Sequence, residues 1–103
     1  MDIINEQSTA YVTVNFTDKT NAPAVPSTIT YSTRSVTTGT AIKTGISVTP
    51  AASIEITLDA LDTTIQNPAN QYEDAMLTVH STYGNNDNCN NEYPYRIKNL
   101  GGI

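Results

Sequence analysis

Apolar and polar residues alternate with a period of two along most of this chain. Val12, Val14 and Phe16 fall on one side of an extended backbone, and Tyr11, Thr13 and Asn15 on the other. Successive side chains of a strand point to opposite faces, so this pattern predicts a strand with one face buried and one in water. Asp18-Lys19-Thr20-Asn21-Ala22-Pro23 then reads as a turn. Ile29, Tyr31 and Thr33 alternate with Thr28, Thr30 and Ser32, which predicts a second strand. Thr37-Thr38-Gly39 turns the chain. A short strand is expected from Ala41 to Thr44, with Gly45 behind it and another short one over Ile46 and Val48 before Pro50.

Ile54, Ile56 and Leu58 form the next apolar face, with Ser53, Glu55 and Thr57 opposite. The stretch from Asp59 to Tyr72 is the least strand-like. Asp59-Ala60-Leu61-Asp62 reads as the start of a helical turn, with a helix-cap or loop role for the two carboxylates. Ile65, alone or with Leu61, is placed to plug the end of a core. The longest strand sets Ala75, Leu77, Val79, Ser81 and Tyr83 against Met76, Thr78, His80 and Thr82. Gly84 to Asn91 reads as a long Asn-rich hairpin loop. Tyr93, Tyr95 and Ile97 return as the last strand, and Pro94 between them puts that part at a sheet edge or a bulge.

About seven strands with turn signals between them favour an immunoglobulin-like or fibronectin-type antiparallel β-sandwich. Tyr72, just before the longest strand, stands where such folds place a corner tyrosine. At 103 residues the chain reads as one domain, residues 1–103, with short N- and C-terminal arms. The Cys–Trp–Cys core of antibody domains is missing, because there is one cysteine, Cys89, and no tryptophan.

Charge narrows the function classes. Only 15% of residues are charged and the net charge is -5. Lys19, Arg34, Lys43, Arg96 and Lys98 are dispersed, whereas a phosphate backbone calls for clustered cations, so nucleic acid is not an expected partner. The surface must be mostly Thr, Ser and Asn, which lose little solvation when a partner covers them. The first residues lack the basic and apolar regions of a signal peptide, and no apolar run nears the roughly 20 residues of a membrane helix, so no membrane association is expected. A lone Cys89 offers no internal disulfide and suits a reducing compartment.

Reactive chemistry is sparse. His80, the single histidine, has no nucleophile or orienting carboxylate at a recognisable spacing and reads as a sheet-face residue. Residues 85–92 offer many oxygens, but their spacing departs from a calcium loop and suits a solvated hairpin tip. Asp59, Asp62, Glu73 and Asp74 lack the room of a glycosidase cleft. No catalytic residue, metal ligand or cofactor is therefore expected. The apolar ends stand out instead. Ile3 and Ile4 precede the first clear strand, and Leu100 and Ile103 follow the last. Such residues either extend edge strands or dock on a neighbouring subunit.

The strand Asp74-Ala75-Met76-Leu77-Thr78-Val79, a variable hairpin, and the closing Tyr93-Pro94-Tyr95-Arg96-Ile97-Lys98-Asn99-Leu100-Gly101-Gly102-Ile103 resemble a group of small tailed-bacteriophage proteins. The last dozen residues carry that resemblance specifically. It implies an immunoglobulin-like virion component without enzymatic activity. Its expected role is a capsid decoration (cement) protein on the outside of the head, assembled in the host cytoplasm. It also implies the major capsid protein or other virion proteins as partners, and a homo-oligomer, dimer or trimer, on the particle. By position, Ile3, Ile4, Leu100 and Ile103 are the expected partner contacts, with Tyr93 and Tyr95 as larger anchors or core residues. A neck, tail or baseplate component is the alternative within this class. Outside it stands an adhesion module that binds host glycans through Tyr83 or Tyr93.

Overall fold

The computed structural model describes residues 2–18, 20–84 and 88–101. Within them lie seven strands and no helix: β1 (Asp2–Asn5), β2 (Ala10–Asn15), β3 (Thr28–Ser35), β4 (Ala41–Val48), β5 (Ser53–Leu58), β6 (Tyr72–Thr82) and β7 (Asn88–Lys98). Five strands form one sheet in the order β1-β7-β6-β3-β4, and β2 and β5 form a second. Both sheets turn their apolar residues into one cluster. Ile29, Ala75, Leu77, Val79, Tyr95 and Ile97 come from the larger sheet, and Val14, Ile54, Ile56 and Leu58 from the smaller. Phe16 joins just beyond β2 and Ile65 closes one end. Along β5 and β6 buried and outward residues alternate, which is the period of two that the composition of those segments dictates.

The strand count agrees with expectation, but two of the strands do not. The segments around Ala41–Thr44 and Ile46–Val48 are one strand, β4, carried past Gly45 by extra residues. Tyr31 pairs with Ile46 but Thr33 with Lys43, so β4 spends three steps where β3 spends two. Gly45 has φ +60 there, a conformation that costs a side-chain-bearing residue about 1 kcal/mol or more. Residues 2–5, placed in a terminal arm that would either extend an edge strand or dock on a neighbour, form the edge strand β1. It runs parallel to β7, with Ile3 opposite Arg96 and Ile4 opposite Ile97. The larger sheet is therefore mixed rather than antiparallel throughout.

The last hairpin is tighter than its composition implies. β6 and β7 pair without interruption from Tyr72↔Lys98 to Thr82↔Asn88, so Asn88 to Asn91 belong to a strand. Residues 85–87 of the expected oxygen-rich loop lie outside the described residues. Pro94 does sit at an edge. Lys98 C=O accepts from Glu6 N–H at 2.9 Å, while the neighbouring Asn99 N–H turns the other way to Gln71 C=O. Backbone groups alternate sides along a strand, so Arg96, Pro94, Glu92, Asn90 and Asn88 also direct theirs away from β6. β1 covers that edge only from Tyr95 onward. Pro94, which has no N–H, thus stands where no ladder bond is asked of it.

Candidate functional site

The connection from β5 to β6, residues 59–71, carries the densest polar chemistry. The Asp62 carboxylate is fully buried, and at this depth each of its oxygens needs a donor. Thr33 Oγ1 donates to Oδ1 at 2.6 Å, and Lys43 Nζ and Asp59 N–H donate to Oδ2 at 2.9 and 3.1 Å. Lys43 also reaches Asp59 Oδ2 at 3.0 Å. Asp59 Oδ1 in turn accepts the Leu61 and Asp62 N–H groups, which closes the turn. Of the two roles expected of Asp59 and Asp62, they take the loop one, closing a turn rather than capping a helix. Ile65 is buried under that turn, whereas Leu61 points outward.

Burial works against the Lys43 charge, but the hydrogen bonds and charges of Asp62 and Asp59 outweigh it and raise the amine above its ordinary range. The Lys43 hydrogen bond holds the half-exposed Asp59 carboxyl below its own. The pair's stability contribution follows from these signs. Asp59, depressed, contributes above its ordinary value of 3.8, and loses that share as pH falls through its lower folded value. Lys43, raised, contributes fully below its ordinary 10.5 and loses its share as pH climbs past that. Urea midpoints measured across pH should therefore form a plateau between these limits. Lys43→Met should flatten the alkaline fall, and the Asp59 share should be small because solvent screens it.

Two further carboxylates serve the frame. Glu73, almost fully buried, accepts from Gln66 N–H at 2.6 Å, Asn67 N–H at 2.9 Å and Asn70 Nδ2 at 3.0 Å. Glu6, also buried, accepts from Leu100 N–H at 2.6 Å and so ties the two ends of the chain together. Among the described residues every buried side-chain N or O atom has a partner. Tyr72, expected at a corner position, is exposed beside the Arg96 guanidinium. The tie to the β5–β6 connection is made by Tyr95, whose hydroxyl donates to Asp62 C=O at 2.8 Å. Burial, reinforced by the Asp62 charge, pushes its phenol well above the usual range. Tyr95→Phe should cost about 1 kcal/mol in urea unfolding, since one buried carbonyl loses its donor. A neutral result would mean that solvent reaches that carbonyl.

A surface depression with a volume of about 340 Å³ lies between the sheets on the β1 side. Ile4, Tyr93 and Tyr95 form one wall, and Ala10, Val12 and Leu58 the other. Asp2 and Tyr11 stand at its mouth. The groove exists because the smaller sheet has only two strands and cannot cover the full width of five. Tyr11 is 64% exposed, and the Asp2 carboxylate forms no ion pair or hydrogen bond among the described residues.

The sequence-predicted contact residues do not share one place. Ile4 and Tyr93 are half-buried and line the groove. Tyr95 has the core position of its two expected roles; at 3% exposure it has no surface for an anchor. Ile3 faces outward on β1, and Leu100 is exposed past β7. Ile103 lies outside the described residues. Tyr83 is half-buried against the core and does not line the groove. His80 lies on the outer sheet face and bonds Asn90 through Nδ1. Lys43, Glu6 and Tyr11 were not anticipated. Lys43 meets the two aspartates only through contacts 16 and 19 residues apart along the chain.

Comparison with protein-family models, with curated protein sequences and with solved structures finds no match to this chain. No helix among the described residues is long and apolar enough to cross a membrane.

Proposed function

We propose that this chain is a non-catalytic virion structural protein of a tailed bacteriophage, an immunoglobulin-like β-sandwich that binds the head surface as a decoration protein. The observation that carries the reading is the outer face of the larger sheet. Three rows cross the half of it nearest Thr82: Thr28, Thr82 and Asn88; Thr30, His80 and Asn90; Ser32, Thr78 and Glu92; the charged residues Arg34, Asp74, Arg96 and Lys98 lie in the rows beyond. Glu92 is the one formal charge in these rows. An uncharged polar half-face costs less solvation than a charged one when a protein covers it, and many modest contacts repeated over a lattice add through avidity. The strand arrangement supports the immunoglobulin-like reading: β7, β6, β3 and β4 lie together, β2 pairs with β5, and β1 is parallel to the last strand. The closing stretch from Tyr93 supports the phage assignment through its resemblance.

The carboxylates fit this reading as well, since Asp62, Glu73 and Glu6 are engaged in holding loops and chain ends. Quantitative mass spectrometry of purified particles tests it. A copy number equal to the major capsid protein, or a simple fraction of it, is the expected result. A small minority ratio would move the protein to the neck, tail or baseplate, and absence from particles would overturn the virion reading.

A further inference from the structure

The open side of the fold has a backbone edge, an apolar groove and an uncompensated charge in one place. Among the described residues β1 pairs with β7 over Tyr95–Lys98, and no strand pairs with the outer edge of β7 from Asn88 to Tyr93. By the alternation set at Lys98, the N–H and C=O groups of Asn88, Asn90 and Glu92 face outward along it. Asp2 and Ile4 share the inward face of β1 and both line the groove. A strand that continued the line of β1 along this edge would keep that alternation. Every second side chain would enter the space between Tyr93 and Val12.

We propose that this edge and groove receive an extended segment of another virion protein, apolar at alternate positions, with a lysine or arginine against Asp2. This deepens the virion reading and rests on it. Backbone pairing supplies affinity in such strand addition, and the side-chain pockets supply selectivity. The charge follows from Asp2, a carboxylate without an ion-pair or hydrogen-bond partner among the described residues, on a chain of net charge -5. A basic residue at that end of the segment complements it, and an acidic one is repelled. The larger sheet's other edge is less suited. β4 carries two register shifts and Gly45 in a left-handed conformation, which breaks the regular spacing a new strand needs.

Photo-crosslinking in assembled particles tests the assignment. Tyr11→p-benzoylphenylalanine places the probe at the groove mouth on an exposed side chain, and Val25→p-benzoylphenylalanine places a control on an exposed side chain outside both the groove and the rows of the outer face. Particle occupancy of the unsubstituted chain is read first, and its absence from particles sinks the virion reading and this one with it. With occupancy intact, the expected product at position 11 is a single segment of another virion protein with alternating apolar residues and an adjoining Lys or Arg. Absence of a product at position 11 overturns the groove proposal alone. So does a product with carbohydrate, with a second copy of this chain, or with a segment lacking that pattern. Asp2→Lys is expected to lower occupancy about tenfold with an unchanged melting temperature, and unchanged occupancy would remove the basic residue from the proposal.

Discussion

Asp62→Ala is expected to cost about 4 kcal/mol of folding stability, a large share of what a domain of this size has. Three losses coincide. Lys43 keeps only the half-exposed Asp59 as a partner. Thr33 Oγ1, on a residue 1% exposed, loses the acceptor at 2.6 Å. Asp59 N–H loses its acceptor as well, so the turn that seats Ile65 opens. Each stranded buried donor alone costs about 1–3 kcal/mol. Urea unfolding of Asp62→Ala, Lys43→Met and the double variant measures the coupling. The double variant should be less destabilised than the sum of the singles, because removing both charges leaves neither without its partner, while the losses at Thr33 and Asp59 N–H are common to Asp62→Ala and the double variant. Strict additivity would show that Lys43 and Asp62 do not act as a pair in solution. Asp62→Asn should fall between, since its amide oxygen can still accept from Thr33.

Deletion of residues 1–6 should have the second largest effect, about 3 kcal/mol or more. As a detachable arm this segment would leave the domain unchanged when removed. As β1 it supplies ladder bonds to Tyr95–Lys98 and the half-buried Ile4. It also carries the Glu6 carboxylate that holds Leu100 N–H. Its loss would bare the edge of β7 beside Tyr95 and Ile97 and turn the groove into an open face. A thermal melt of the truncated chain against the full chain decides the matter. Ile3→Ser is the companion measurement, since Ile3 is 60% exposed on the outward side of β1 and should change stability little. An unshifted melt on deletion would mean that β1 does not pair in solution.

Much of the frame could be read from local pattern. β2, β5 and β6 announced themselves because one face of each meets the core and the other meets water, so apolar residues recur at every second position. Pro94 marked an edge for a reason internal to proline, its missing N–H. β1 was not legible as a strand: four residues, Asp-Ile-Ile-Asn, are too few to show a period. β4 was broken in two by Gly45, because a bulge interrupts the alternation while the pairing continues. The hairpin loop read long because asparagines that favour turns also tolerate a strand when the opposite strand holds them in register.

The candidate site was less legible than the frame. Ile4 and Tyr93 stand out in the sequence only by their position near the chain's ends, and both line the groove. Tyr95 looked equally like an anchor, and only its inward side on β7 put it in the core. Lys43, Asp59 and Asp62 stand in the sequence as a lone lysine and a pair of turn formers.

What the sequence by itself determined is what short-range chemistry determines. It set which residues are extended, which face of each strand is apolar, where turns fall, and how little charge the surface carries. The tertiary structure decided the rest: that β1 lies parallel to the last strand, that two strands face five, and that one lysine closes over two aspartates. The reason is physical. Strand pairing and ion pairing are made between segments far apart in the chain, and the energy that selects among partners is not written in either segment alone. The groove is the plainest case, since it is the width of one sheet left uncovered by the other.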